Sequence, residues 1–151
     1  CIVENIACQT TAGGGNAYYG IRLVGAVRAV VRNTKVIDSD DLGIIVYAAS
    51  TDCLIDGCTI LNSDNHSIHL DSARVRIVGN HLVSSGGRGI NCDDDGDNSL
   101  IIGNIIQDQN NQAILVDAGC EDVIIDGNRT DGAITDNSGT STVGDNEATA
   151  F

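Results

Sequence analysis

Leu100–Gln107 reads LIIGNIIQ: a short aliphatic strand, a Gly-Asn corner and a second aliphatic strand. The phrase returns as CIVENIAC from Cys1, VVRNTKVI from Val30, LIDGCTIL from Leu54, RIVGNHLV from Arg76, VIIDGNRT from Val123 and TVGDNEAT from Thr142. Counted from the corner residues Asn5, Asn33, Cys58, Asn80, Asn104, Asn128 and Asn146, the copies follow at 28, 25, 22, 24, 24 and 18 residues. Three positions before each corner stand Ile2, Val30, Ile55, Ile77, Ile101, Ile125 and Val143, all branched aliphatics. A period of this length marks a coil repeat, in which each unit buries its apolar face only by stacking on its neighbours.

Working outward, each copy carries a further strand. Ten residues after the corner come Ile68, Ile90 and Ile114, with Ile44 one place later; two residues on are Leu70, Cys92, Val116 and Val46. Strand alternation turns these pairs inward and sends the residues between them outward. No segment holds a 3.6-residue period long enough for a helix. The expected coils run from about Arg28 to Ser50, Thr51 to Ala73, Arg74 to Asp97 and Asn98 to Cys120, with a shortened one after Glu121 and a half-coil from Ser141. The first coil carries an insertion, TTAGGGNAYYG, that reads as a flexible loop, and its three glycines precede no helix that would make them a phosphate-binding loop.

With 151 residues, one domain over 1–151 is expected. The chain holds one Phe, three Tyr and neither Trp nor Met, so aliphatics must fill thin stacked layers. Eighteen Gly and no Pro imply corners made through positive φ. The formal charge of −13 argues against nucleic acid or an anionic membrane as partner and allows cations or neutral polar ligands. No run is apolar enough for membrane insertion. Cys1 already lies inside a repeat, so a piece of a longer chain is expected. Cys58 takes a corner and Cys92 an inward position, while Cys53 and Cys120 lie about three coils apart. The six Cys therefore read as buried free thiols acting as small hydrophobes rather than as a disulfide framework.

Two solenoids have coils of this length. IVGNHL at Ile77 fits the L-x-x-N-x-L grammar of leucine-rich repeats, but the second half of the coil is Gly- and Asp-punctuated strand rather than helix. The expected fold is all-β: a right-handed parallel β-helix of about six and a half coils, with an Asn ladder at a corner whose αL backbone Asn tolerates. The repeat resembles those of the pectate-lyase-like β-helix superfamily, described as carbohydrate-binding and sugar-hydrolase repeats. That resemblance implies a polysaccharide partner, bound or cut, as in lyases, polygalacturonases, alginate epimerases and phage tailspikes. It also implies an extracellular, cell-surface or virion-associated setting and, for a spike, a homotrimer or a larger parent. Asp93-Asp94 supplies the D-D of polygalacturonases, but G-H-G and R-I-K are missing, and without Pro there is no D-P-H-E. No catalytic residue carries over from the family.

Candidate chemistry rests on the outward residues of the last strand in each coil. One column holds Arg22, Ile45, His69, Asn91 and Leu115; the other holds Val24, Tyr47, Asp71, Asp93 and Asp117. Neighbours in a column stand about 4.8 Å apart. Three readings of this carboxylate ladder stand. As an enzyme, Asp71 and Asp93 split into acid and base with His69 assisting, and Tyr47, Asn91, Asp117 and Arg22 hold substrate. As a metal site, Asp93, Asp94, Asp95 and Asp97 offer oxygens to Ca²⁺, although DDDGDN is not an EF-hand loop. As plain architecture, Asp follows each strand because it makes good turns. His66, three residues from His69, is expected in a loop on the opposite face. His81 is expected to be a solvated surface group, and Arg88, like Arg22, either a holder of an acidic sugar or a solvated surface group.

Overall fold

The computed structural model describes residues 1–9 and 19–148. The insertion at Thr10–Tyr18 therefore lies outside the described residues, apart from its last two, Tyr19 and Gly20. The chain winds as a parallel β-solenoid, and no described residue is helical. Each coil lays down three short strands, as in Leu100–Ile102, Ile105–Gln109 and Ile114–Val116. Equivalent strands stack into three parallel sheets of seven, seven and six strands. The third sheet begins at Ile21–Val24 and ends at Ile134–Asp136. No described helix is long and apolar enough to cross a membrane.

Strands this short need little from any one coil, because the neighbouring coil supplies their hydrogen bonds. Leu100 N donates to Val75 O at 2.9 Å, and Ile124 N donates to Ser99 O at the same length. Inside, identical residue types stack. Ile44, Ile68, Ile90 and Ile114 are in register in the third sheet, and Ile55, Ile77, Ile101 and Ile125 in the first, all fully buried. The inward row Val46, Leu70, Cys92 and Val116 is buried as expected. Over these coils of 22 to 24 residues, the isoleucines of the first two rows meet their own kind above and below.

The corner ladder is made by Asn80, Asn104, Asn128 and Asn146. Asn104 Oδ1 accepts from the backbone N and the Nδ2 of Asn80 at 2.9 and 3.0 Å. Its own Nδ2 donates to Asn128 Oδ1 at 2.9 Å and to Ile77 O at 3.0 Å. Asn128 repeats the pattern with Asn146 and Ile101 O. Cys58 completes the row: its backbone N donates to Asn80 Oδ1 at 2.8 Å, and its thiol donates to Val31 O at 3.6 Å, where an Asn would place its amide.

Two expectations are corrected here. The left-handed residue is the one before the ladder, at Gly57, Gly79, Gly103 and Gly127 with φ from 60° to 66°; the ladder asparagines do not adopt it. In the first two coils Asn5 and Asn33 take that left-handed place, with φ 55° and 48°. The ladder position there belongs to the next residue, Thr34 in the second coil, and the inward aliphatics are Val3 and Val31 rather than Ile2 and Val30. Gly and Asn are the two residue types that reach αL at least cost, so they substitute for one another at this site. Aligning on Asn alone slipped those two coils by one residue, which exchanges the faces of a strand.

Candidate functional site

The third sheet presents both expected columns. Arg22, Ile45, His69, Asn91 and Leu115 are in register on consecutive strands, and Tyr47 pairs with Asp71. Asp93 N donates to Leu70 O at 2.7 Å and Asp117 N to Cys92 O at 2.9 Å, which continues the Asp71–Asp93–Asp117 row past the strand ends. Outward does not mean exposed on this face. Ile45, Asn91 and Leu115 in the first column are buried, while Tyr47 in the second stays 40% exposed.

A polar network closes the first column. Arg88 donates to Asn91 Oδ1 at 3.2 Å and to Gln112 Oε1 at 3.1 Å. With its oxygen so engaged, Asn91 turns its NH₂ toward His69 Nδ1, 3.2 Å away. An accepting Nδ1 puts the neutral ring's proton on Nε2, which points at Asp93 Oδ2 across 3.9 Å. Arg88 is thus a scaffold of the site rather than a solvated surface group. His66 is a loop residue as expected, but on the same side as His69: the two rings stack with centroids 6.0 Å apart. The chain bends between Ser63 and Ile68, so extended-strand alternation does not apply. Burial, then the Arg88 and His69 charges, lower the pKa of His66 to about 4, and its Nδ1 accepts the backbone N–H of Arg88 at 3.0 Å. His81 is exposed, 2.7 Å from Gln107.

The carboxylates interact unequally. Burial first, then the Asp93 charge, push the carboxyl of Asp117 above its ordinary range, and a hydrogen bond with Asp93 adds to this. Asp71 is also raised, by burial and then mainly by Asp95. Asp93 thus bears more on Asp117 than on Asp71, which lines a shallow cleft of about 260 Å³ with Asp95 and Asp97. Asp94 is exposed, with its N–H on Asp93 Oδ1 at 3.1 Å. Among the described residues no three His, Cys, Asp or Glu side chains converge to hold a metal ion, and Asp93, Asp94, Asp95 and Asp97 form no such set. At the open end of the tyrosine column, the Arg22 guanidinium lies 5.5 Å from the Tyr19 ring and 6.0 Å from the Tyr47 ring.

Two features escaped the sequence reading. One is a polar groove of about 320 Å³ along the second sheet's far corner, lined by Asn62, Asp64, Ser84, Asp108 and Asn110. Its signal was the polar residue, Ser63, Ser85 or Gln109, closing the second strand of three successive coils. The other is a sulfur–sulfur contact between Cys92 and Cys120, whose Sγ atoms are 3.3 Å apart. These positions are 28 residues apart and occupy different columns, so repeat spacing does not pair them.

A family model described as "Right handed beta helix region" matches residues 1–130. The sequence matches none of the curated proteins compared with it. Among solved structures, a trypsin-treated form of QnrB1, a plasmid-mediated fluoroquinolone resistance protein, is similar at 10% identity. That match covers 83% of this chain and 74% of the other with a TM-score of 0.24, which carries no argument about fold or activity.

Proposed function

The chain belongs to the right-handed β-helix family, and from that premise we propose that it is a glycan-recognition domain of a spike or adhesin. It would work at an extracellular, cell-surface or virion surface, within a larger or trimeric parent. The ligand is an uncharged, hydroxyl-rich polysaccharide laid along the third sheet, across Tyr47, Asp71, Asp93 and Asp117. The observation that carries this reading is the exposed Tyr47 ring in register with the first carboxylate of the ladder. A sugar needs an apolar face to stack on and fixed acceptors for its hydroxyls, and the row repeats acceptors about every 4.8 Å. Anionic glycans are disfavoured by the surrounding carboxylates and by the net charge of −13.

A second reading, cleavage of the same glycan, draws support from the raised carboxyl of Asp117 beside Asp93. Glycoside hydrolysis uses a pair of carboxyl groups whose surroundings set them apart, and here His69 Nε2 stands 3.9 Å from Asp93 Oδ2.

The test is glycan-array binding with and without Ca²⁺, followed by a reducing-end assay on each hit. Binding lost in Tyr47→Ala and kept in Asp93→Asn supports recognition on this face. Product release that vanishes in Asp93→Asn selects the enzyme. Binding indifferent to Tyr47→Ala and Asp71→Ala removes the site from this sheet, and no binding to any glycan leaves a structural coil.

A further inference from the structure

Cys92 and Cys120 are fully buried and touch each other, yet nothing in glycan recognition uses them. Cys92 is the inward residue that ends the strand Ile90–Cys92. Cys120 belongs to a different column, and its neighbours explain why the two meet. In earlier coils this column holds Ser50 and Ser72, whose hydroxyls accept the backbone N–H one coil back: Ala26 N to Ser50 at 3.0 Å and Ser50 N to Ser72 at 3.2 Å. Cys120 Sγ takes the same place, and its thiol donates to Asp93 O at 2.9 Å, the carbonyl that also accepts the Gly96 N–H at 2.8 Å. Gly96, next in the column, has no side chain. A Cβ there would lie 2.2 Å from Cys92 Sγ and 3.2 Å from Cys120 Sγ. The missing side chain leaves the space in which the two sulfurs meet. All four buried thiols have a carbonyl to donate to, Ala26 O for Cys53, Val31 O for Cys58, Gly96 O for Cys92 and Asp93 O for Cys120, but among the described residues Cys92 and Cys120 alone also meet a second sulfur.

We propose that Cys92 and Cys120 are a dithiol that a hydroperoxide closes to an intrachain disulfide, stapling the fourth coil to the fifth. Cys120 is the attacking sulfur. The two sulfurs, 3.3 Å apart, share a proton: the contact with Cys92 favours the Cys120 thiolate, whereas the Cys92 thiol is held protonated by the same contact and by burial. The Cys120 thiolate attacks a peroxide oxygen; the O–O bond breaks, leaving a sulfenic acid, and the departing hydroxide takes up the released proton as water. Cys92 then attacks the sulfenic sulfur, the S–O bond breaks, and the expelled hydroxide leaves with the Cys92 proton as a second water. Two thiols lose two electrons, and one hydroperoxide is reduced. The oxidant must be small and uncharged. The pair lies under the turn Asp93–Asp97, beside Asp117, and these carboxylates repel an anionic disulfide such as oxidised glutathione. Entry requires only a local opening of that turn.

The experiment is hydrogen peroxide treatment of the folded, pre-reduced protein, removal of peroxide by catalase, denaturation, alkylation with N-ethylmaleimide and peptide mapping by mass spectrometry. Of the six thiols, two should escape alkylation, in one cross-linked peptide pair joining Cys92 to Cys120, and phosphine reduction should restore both. In Cys92→Ala, dimedone should trap a sulfenic acid at Cys120. Six alkylated thiols after peroxide, a cross-link between other cysteines, or no dimedone adduct at Cys120 in a folded Cys92→Ala would overturn the proposal. If circular dichroism shows that Cys92→Ala does not fold, the wild-type map decides alone.

Discussion

Replacing Asn104 by Ala removes one rung of the corner ladder, and the structure lets the cost be worked out. The side chain is fully buried and makes four hydrogen bonds: two accepted from Asn80 and two donated, to Asn128 Oδ1 and Ile77 O. Asn80 Nδ2 keeps its bond to Ile55 O, and Asn128 Oδ1 keeps the backbone N of residue 104. The backbone N–H of Asn80 has no alternative and is stranded in a dry interior, and the Ile77 carbonyl loses its side-chain donor. A stranded buried group costs about 1–3 kcal/mol, and each ordinary bond lost about 1 kcal/mol. With one stranded N–H and three ordinary bonds lost, the sum is roughly 4–6 kcal/mol, a large share of the roughly 5–15 kcal/mol that holds a domain folded. The assay is equilibrium urea unfolding extrapolated to water. Asn146→Ala serves as the comparison, because this last rung is reachable by water and should cost roughly 1 kcal/mol. If Asn104→Ala loses under about 1 kcal/mol, or no more than Asn146→Ala, the ladder is not what holds the corner.

Further expectations concern packing, protonation and oxidation. Gly89→Ala should cost about 1–3 kcal/mol in the same assay, because its Cβ would lie 2.4 Å from Ile106 Cγ2 and 2.6 Å from the Ala113 carbonyl oxygen. Gly79→Ala meets nothing within 4 Å and should lose only the roughly 1–2 kcal/mol of a left-handed backbone. His66 should titrate near 4 in an NMR pH series. Its folded pKa lies below the ordinary 6.5, so the stability it contributes is complete above that value and is lost as pH falls toward 4; a midpoint at 6 or above would refute its burial. Asp117 has the opposite sign: its raised carboxyl favours folding below the ordinary 3.8, and that gain disappears as pH rises through the folded value. Asp117→Asn should flatten that part of the stability profile. Closing the Cys92–Cys120 loop should raise stability by about 3–4 kcal/mol on the chain-entropy model, seen as a higher urea midpoint that reductant reverses.

The sequence by itself determined the solenoid. Aliphatics at fixed offsets from a Gly-Asn corner can be buried only by stacking like on like, and strand alternation then assigned Ile68, Leu70, Ile90, Cys92, Ile114 and Val116 to the interior. The same alternation lined up Tyr47, Asp71, Asp93 and Asp117 on one face, because a parallel stack keeps equivalent positions in register. Tertiary structure decided whatever depends on how the chain leaves its strands. Gly and Asn are interchangeable at a left-handed position, so only the backbone told the αL residue from the ladder residue and moved the first two coils by one. Asn91 and Leu115 are buried although alternation sends them outward, and Arg88 joins the site through its bond to Asn91. A bend before Ile68 brought His66 onto His69. Cys92 and Cys120 met because Gly96 left a gap between two columns, and a contact across columns has no period for a sequence to display.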